Sequence, residues 1–152
     1  MSVRAAVRRV AGRPVARPSD RQLARWADAA LGRRARGAQI CVLLVGSARS
    51  RSLNARYRDR DRPTNVLSFP ATREARREQG LLGDLVICPA LLASEAKAQR
   101  KRLAAHWAHL VVHGVLHLVG FDHEHDQDAR RMERREIRVL RKLGFDNPYR
   151  TK

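Results

Sequence analysis

His113-Gly114-Val115-Leu116-His117-Leu118-Val119-Gly120-Phe121-Asp122-His123 is the stretch that organises this chain. His113 and His117 are four residues apart. On an α-helix both rings then lie on one face, about one turn apart, and can reach one ion. Gly120 stands where that helix has to end, because glycine takes the left-handed conformation that turns a chain back. His123, three residues past the turn, can swing in as a third nitrogen ligand, with His125 as its rival for that place. Three protein ligands and an open fourth position describe a catalytic zinc site rather than a structural one. Imidazole also suits nickel, copper and iron, so the spacing defines a three-histidine site more firmly than its metal.

The same spacing occurs in zinc proteases as H-E-x-x-H-x-x-G-x-x-H. Gly114 stands where those enzymes carry their general-base glutamate. The cage is kept and the base is missing, which disfavours a peptidase and predicts a zincin-like metal helix serving other chemistry. That helix is predicted from about Leu103 to Val119. Trp107, Leu110, Val111, Val112, Val115, Leu116 and Val119 cover most of its circumference, so it should be buried. His106, His109, His113 and His117 fall within about 80° of one another on it. Such a stripe is costly to bury unless hydrogen-bonded or metallated. His106 and His109 are therefore expected to support the ligands or meet substrate. Asp122 or Asp126 could orient a ligand imidazole. Beyond the turn, Asp126 to Leu143 reads as a charged amphipathic helix with Met132, Ile137 and Leu140 among its apolar positions, ended by Gly144 ahead of Pro148.

On the N-terminal side, Val3 to Val10 alternates apolar and basic residues, as a half-exposed strand does. Ser19 and Gln22 have the spacing of a capping box, and Leu23, Trp26, Ala27, Ala30 and Leu31 recur at helical spacing behind them. Gln39 to Val45 is a short apolar run suited to a central strand buried on both faces. Ser47 to about Tyr57 reads as a basic surface helix. Thr64 to Phe69 and Leu81 to Cys88 read as strands able to lie side by side, with Ala71 to Gly80 a charged loop between them. Pro89 opens a helix running to about Arg102. Cys41 and Cys88 sit in apolar runs and read as packing thiols.

The chain has 152 residues, 43% hydrophobic, which suits one domain over residues 1–152 with a core of its own. Its net charge is +17, from 32 basic and 15 acidic side chains. Residues 1–80 hold 19 Lys and Arg against 6 Asp and Glu, and residues 81–152 hold 13 against 9. Such a field attracts polyanions, nucleic acid first among them. The surplus is mostly arginine and alanine is abundant, a pattern that GC-rich coding also produces, so charge alone leaves the partner open. No apolar run is long enough to span a membrane and no secretory core is visible at the N-terminus. A cytoplasmic location follows as the expectation.

A second constellation precedes the histidines. Alone, Arg58 in a basic loop is a planar fork suited to a phosphate. However, Tyr57-Arg58, Pro63-Thr64-Asn65-Val66-Leu67-Ser68-Phe69-Pro70, Gly83-Asp84-Leu85-Val86-Ile87 and the block from His106-Trp107-Ala108-His109 through His123 together resemble the YbeY family. These are bacterial metal-dependent endoribonucleases acting in ribosomal RNA maturation. The match runs in order from about residue 40 to the end, and the first forty residues carry no matched motif. The resemblance implies an α+β fold in a single domain, with a four-stranded mixed sheet and about five helices. It implies that His113, His117 and His123 hold one zinc ion and that Arg58, with His113, serves catalysis. Arg56, Arg62, Ser68 and His109 are further candidates for substrate contact. The implied substrate is single-stranded ribosomal RNA, in maturation of the small-subunit 3′ end and in ribosome quality control, with small-subunit proteins as partners. A net charge of +17 is high for that family. Water or the RNA 2′-hydroxyl could be the nucleophile. The rival reading is an RNA- or ribosome-binding assembly factor with a structural metal and little nuclease activity of its own.

Overall fold

Four apolar runs pair into one sheet: β1 (Arg4–Val10), β2 (Gln39–Val45), β3 (Val66–Pro70) and β4 (Leu81–Ile87). The computed structural model describes residues 3–10, 15–121 and 124–150. Strand order is β1-β2-β4-β3, with β1, β2 and β4 parallel and β3 antiparallel to β4. The helices are α1 (Asp20–Leu31), α2 (Ser47–Arg58), α3 (Arg73–Gln79), α4 (Pro89–Ala98), α5 (Leu103–Leu118) and α6 (Asp126–Lys142). The fold is thus α+β on a four-stranded mixed sheet, as expected, with six α-helices among the described residues where about five were expected.

The extra helix is α3, which replaces the expected loop between Ala71 and Gly80. It buries no residue, so no apolar period announces it. Its ends hold it instead. The Thr72 hydroxyl accepts from Ala75 N at 3.1 Å, and Gly80 closes the helix in the left-handed conformation. Once formed, it lends Arg76 to the C-terminal end of α5, where the guanidinium donates to the Leu118 carbonyl. A cation at that end meets both an unpaired carbonyl and the negative end of the helix dipole.

A second correction concerns β2. Ile40, Val42 and Leu44 are buried, but Cys41 and Leu43 are half-buried, so the strand is fully covered on one face only. The main core lies on that covered face. It joins Leu23 and Trp26 of α1, Ile40 and Val42, Leu85 and Ile87 of β4, Trp107 and Val111 of α5, and Met132 and Leu140 of α6. Burying each of these side chains contributes about 1.5–3 kcal/mol. The other face carries a smaller cluster of Val45, Leu67 and Val86, with Leu43, Leu53 and Phe69 against it.

The predicted capping box is present at Ser19 and Gln22. Helix α4 stops at Ala98, short of Arg102, because Arg100 takes a positive φ of 55° before α5 begins. The strand expected from Thr64 starts at Val66. Asn65 folds its side chain onto Val66 N (2.7 Å) and towards Glu95 (3.2 and 3.3 Å), while its carbonyl still accepts from Cys88 N at 3.0 Å.

Helix α5 is the spine of the molecule, packed against α1, α4, α6, β3 and β4. It ends at Leu118, and Gly120 turns the chain back at φ +100°, as the spacing predicts. It also approaches the sheet closely at Gly114. A Cβ there would lie 2.9 Å from Leu85 Cδ2, 3.3 Å from Ser68 Oγ and 3.4 Å from Val66 Cγ2. Position 114 therefore faces β3 and β4, and the missing glutamate has a packing cause as well as a chemical consequence.

Candidate metal centre

The histidine stripe of α5 is divided between two partners. His106 is buried, and its Nε2 lies 2.9 Å from Glu95 Oε1 on α4, which ties the two helices together. Glu95 also accepts from Asn65, so the loop before β3 is held by the same carboxylate. The other three histidines meet α6 and each other.

Glu136 is only 1% exposed, yet it lies on the apolar face of α6 with Met132, Val139 and Leu140. A buried carboxylate needs partners. His109 Nε2 donates to its Oε2 at 2.7 Å, and the Tyr149 hydroxyl donates to its Oε1 at 2.9 Å. His113 Nδ1 lies 3.4 Å from the same Oε2. Burial alone would raise the Glu136 carboxyl, but the imidazoles of His109 and His113 outweigh it and hold the group down to about 2. Tyr149 is pushed the other way, by its own burial and then by the Glu136 carboxylate, and stays a phenol that donates.

The carboxylate beside His113 Nδ1 favours a proton on that nitrogen. The Nε2 lone pair is then turned to the other side, where His117 Nε2 lies 3.2 Å away. Two donor nitrogens at that separation suit a positive centre between them. Zinc–nitrogen bonds of about 2.0–2.1 Å in tetrahedral geometry put neighbouring ligand atoms about 3.3 Å apart. The donor set therefore fits such an ion. His109, His113 and Glu136 form another group that could hold one, their donor atoms all lying within 4.8 Å of one another. In that group the 2.7 Å between His109 Nε2 and Glu136 Oε2 is hydrogen-bond contact, shorter than a ligand–ligand edge. His113 belongs to both sets, facing one with each ring nitrogen. His123, the expected third ligand, and Asp122 lie outside the described residues.

Arg58 ends α2 and is exposed. Its Nη2 donates to Ser68 O and its Nη1 to Tyr57 O, both at 3.0 Å, and its guanidinium carbon lies 5.3 Å from the centre of the Phe69 ring. Ser68 Oγ in turn donates to Gly114 O at 3.0 Å, one residue past His113. Arg58 is thus linked through one residue of β3 to α5. The Ser68 hydroxyl, expected to meet substrate, is engaged with α5. Arg56 stands over the Tyr57 ring, and Arg62 accepts from Asn54 through its carbonyl at 2.9 Å. Among the described contacts neither reaches the histidine stripe. His109 is turned into Glu136 and Tyr149.

Sequence reasoning missed Glu136 and Tyr149. The signal for Glu136 was a lone carboxylate at a core position of an amphipathic helix, in step with Met132 and Leu140. Tyr149 has no periodic context and left none.

The family described as Endoribonuclease YbeY matches residues 16–144. The chain belongs to the YbeY endoribonuclease family. Membership in this nuclease family supports an endoribonuclease role in ribosomal RNA processing. The YbeY match includes the histidine stripe, Arg58 and Glu136, and excludes Tyr149. The solution structure of TM1509 from Thermotoga maritima is similar in fold, with a TM-score of 0.56 and 21% identity over 97% of this chain and 99% of that one. Among the described residues no helix is long and apolar enough to cross a membrane.

Proposed function

We propose that residues 1–152 act as one YbeY-like domain, a zinc-dependent endoribonuclease that cuts single-stranded ribosomal RNA. The observation that carries this reading is the facing pair His113 Nε2 and His117 Nε2, 3.2 Å apart, with a buried carboxylate behind His113. His113, His117 and His123 are proposed as the ligands of one ion. When bound, zinc supplies Lewis acidity to water and to a phosphoryl oxygen.

The chain's own residues do the rest. Glu136 keeps the proton of His113 on Nδ1 and the ring turned towards His117. The Arg58 guanidinium neutralises charge developing on the phosphate, and its planar fork orients the group. Gly114 places no carboxylate beside the ligands, so no side chain there serves as a peptidase base. The proposal extends to maturation of the small-subunit 3′ end, to quality control on the ribosome with small-subunit proteins as partners, and to a cytoplasmic location.

The test uses protein purified from a host lacking its own version of the enzyme, so that contaminating ribonuclease does not confuse the result. Wild type, His113→Ala and Arg58→Glu are compared on single-stranded ribosomal RNA, with binding measured separately. Cleavage lost while binding persists is expected. Cleavage that survives both substitutions removes the activity from this site and leaves an RNA-binding assembly factor.

A further inference from the structure

A groove of about 570 Å³ runs between α6 and the turn Gly32–Ala35 that follows α1. Six arginines line it: Arg33 and Arg34 from the turn, and Arg131, Arg134, Arg135 and Arg138 from α6. The four on α6 follow the i, i+3, i+4, i+7 pattern and form one stripe. Arg135 crosses towards the turn, its Nη2 lying 3.8 Å from where a Cβ of Gly32 would stand. None of the lining residues is acidic, and none of the six arginines makes an ion pair among the described residues. So dense a set of like charges repels itself until an anion joins it.

We propose that this groove is a docking track for the phosphate backbone of single-stranded RNA, separate from the metal ligands. The proposal rests on the nuclease reading above for its choice of RNA. Arginine forks match phosphate oxygens, and six of them suit a chain of phosphates better than one small anion. An acidic peptide would also satisfy the arginines. Phe121 favours RNA, because this half-buried ring lines the same groove and nucleobases stack on aromatic faces. The track shares two elements with the centre. Phe121 lies three residues past the end of α5, and Arg135 neighbours Glu136 on α6. A strand held at the metal helix is thereby offered a cationic path for its flank.

The test is the triple variant Arg131→Gln, Arg134→Gln, Arg138→Gln. The charge-matched control is Arg4→Gln, Arg8→Gln, Arg9→Gln on β1, which does not line the groove. Binding of an unstructured RNA of about 24 nucleotides is followed against salt in chelator, so that the strand is not cut. Each lost phosphate contact lowers the salt slope by about 0.7, so the groove variant should lose about 2 in slope and about tenfold or more in affinity. The control should lose much less. With metal restored, KM for the long RNA should rise at unchanged kcat, while a tetranucleotide is cut as before. An unchanged slope, an equal loss in the control, a lost tetranucleotide activity or equal competition by polyglutamate each overturns the proposal. The nuclease reading fails separately, through cleavage that survives His113→Ala, and the binding arm does not depend on it.

Discussion

Replacing Glu136 with glutamine probes whether the carboxylate behind His113 sets the metal site. The side chain keeps its length, but one of its two oxygens becomes an NH2 group. Glu136 accepts from His109 at 2.7 Å and from Tyr149 at 2.9 Å, so in the variant the oxygen keeps His109, the NH2 group donates to a turned Tyr149 hydroxyl, and both bonds lose their charge. Trading a bond to a charged group for a neutral one costs about 1–2 kcal/mol, and two such bonds are affected. The metal-free protein should therefore lose about 2–4 kcal/mol in urea denaturation. Metal affinity is a separate readout. His113 Nδ1 loses the carboxylate 3.4 Å away, and losing such an outer partner costs about 10–100-fold in affinity. That corresponds to about 1.4–2.8 kcal/mol. The assay is competition for zinc with a chromophoric chelator, at a temperature where the variant is folded. An affinity within about twofold of wild type, alongside the lost stability, would refute the idea that Glu136 orients His113. A loss beyond about 1,000-fold with an altered cobalt spectrum would make Glu136 a ligand itself, in the set with His109 and His113.

Gly114→Glu should not create a peptidase. Its side chain has to start 2.9 Å from the fully buried Leu85, and a fall of about 3 kcal/mol or more in urea stability is expected from overpacking and an unpaired buried carboxylate. Gly114→Ala gains about 1 kcal/mol of helix propensity against about 1–3 kcal/mol of overpacking, so the same measurement should show a smaller loss. Arg58→Lys should keep the fold, since the residue is exposed, but lower kcat on single-stranded RNA about tenfold or more, because a single ammonium cannot reproduce the fork that spans Ser68 O and Tyr57 O. Burial, and then the Asp84 carboxylate, push the Cys41 thiol up, so iodoacetamide at pH 8 should label it slowly in the native chain and readily in denaturant, as read by mass spectrometry.

What could be read from residues alone follows from where the information lies. The helix from Leu103, its turn at Gly120 and the paired faces of His113 and His117 depend on local spacing, and all are present. The strands were visible as short apolar runs bounded by glycine, proline and polar residues. Two kinds of feature were not. Helix α3 is held by Thr72 and Gly80 with no buried side chain, and hydrophobic periodicity is silent about such a helix. The cluster joins His109 to Glu136, 27 positions away, and to Tyr149, 40 positions away, across three different segments. No spacing rule reaches that far. Gly114 lay between these cases: its identity was legible, but the contact with Leu85 that requires it appears only when helix and sheet meet.

Tyr149 gives the segment after α6 a stake in the centre of the molecule. Its hydroxyl lies within hydrogen-bond distance of both Glu136 and His109, although the residue is only three from Lys152. A cut or insertion close behind Tyr149 therefore acts on a group two contacts away from His113. Metal content measured on a protein altered there would report the alteration as well as the site.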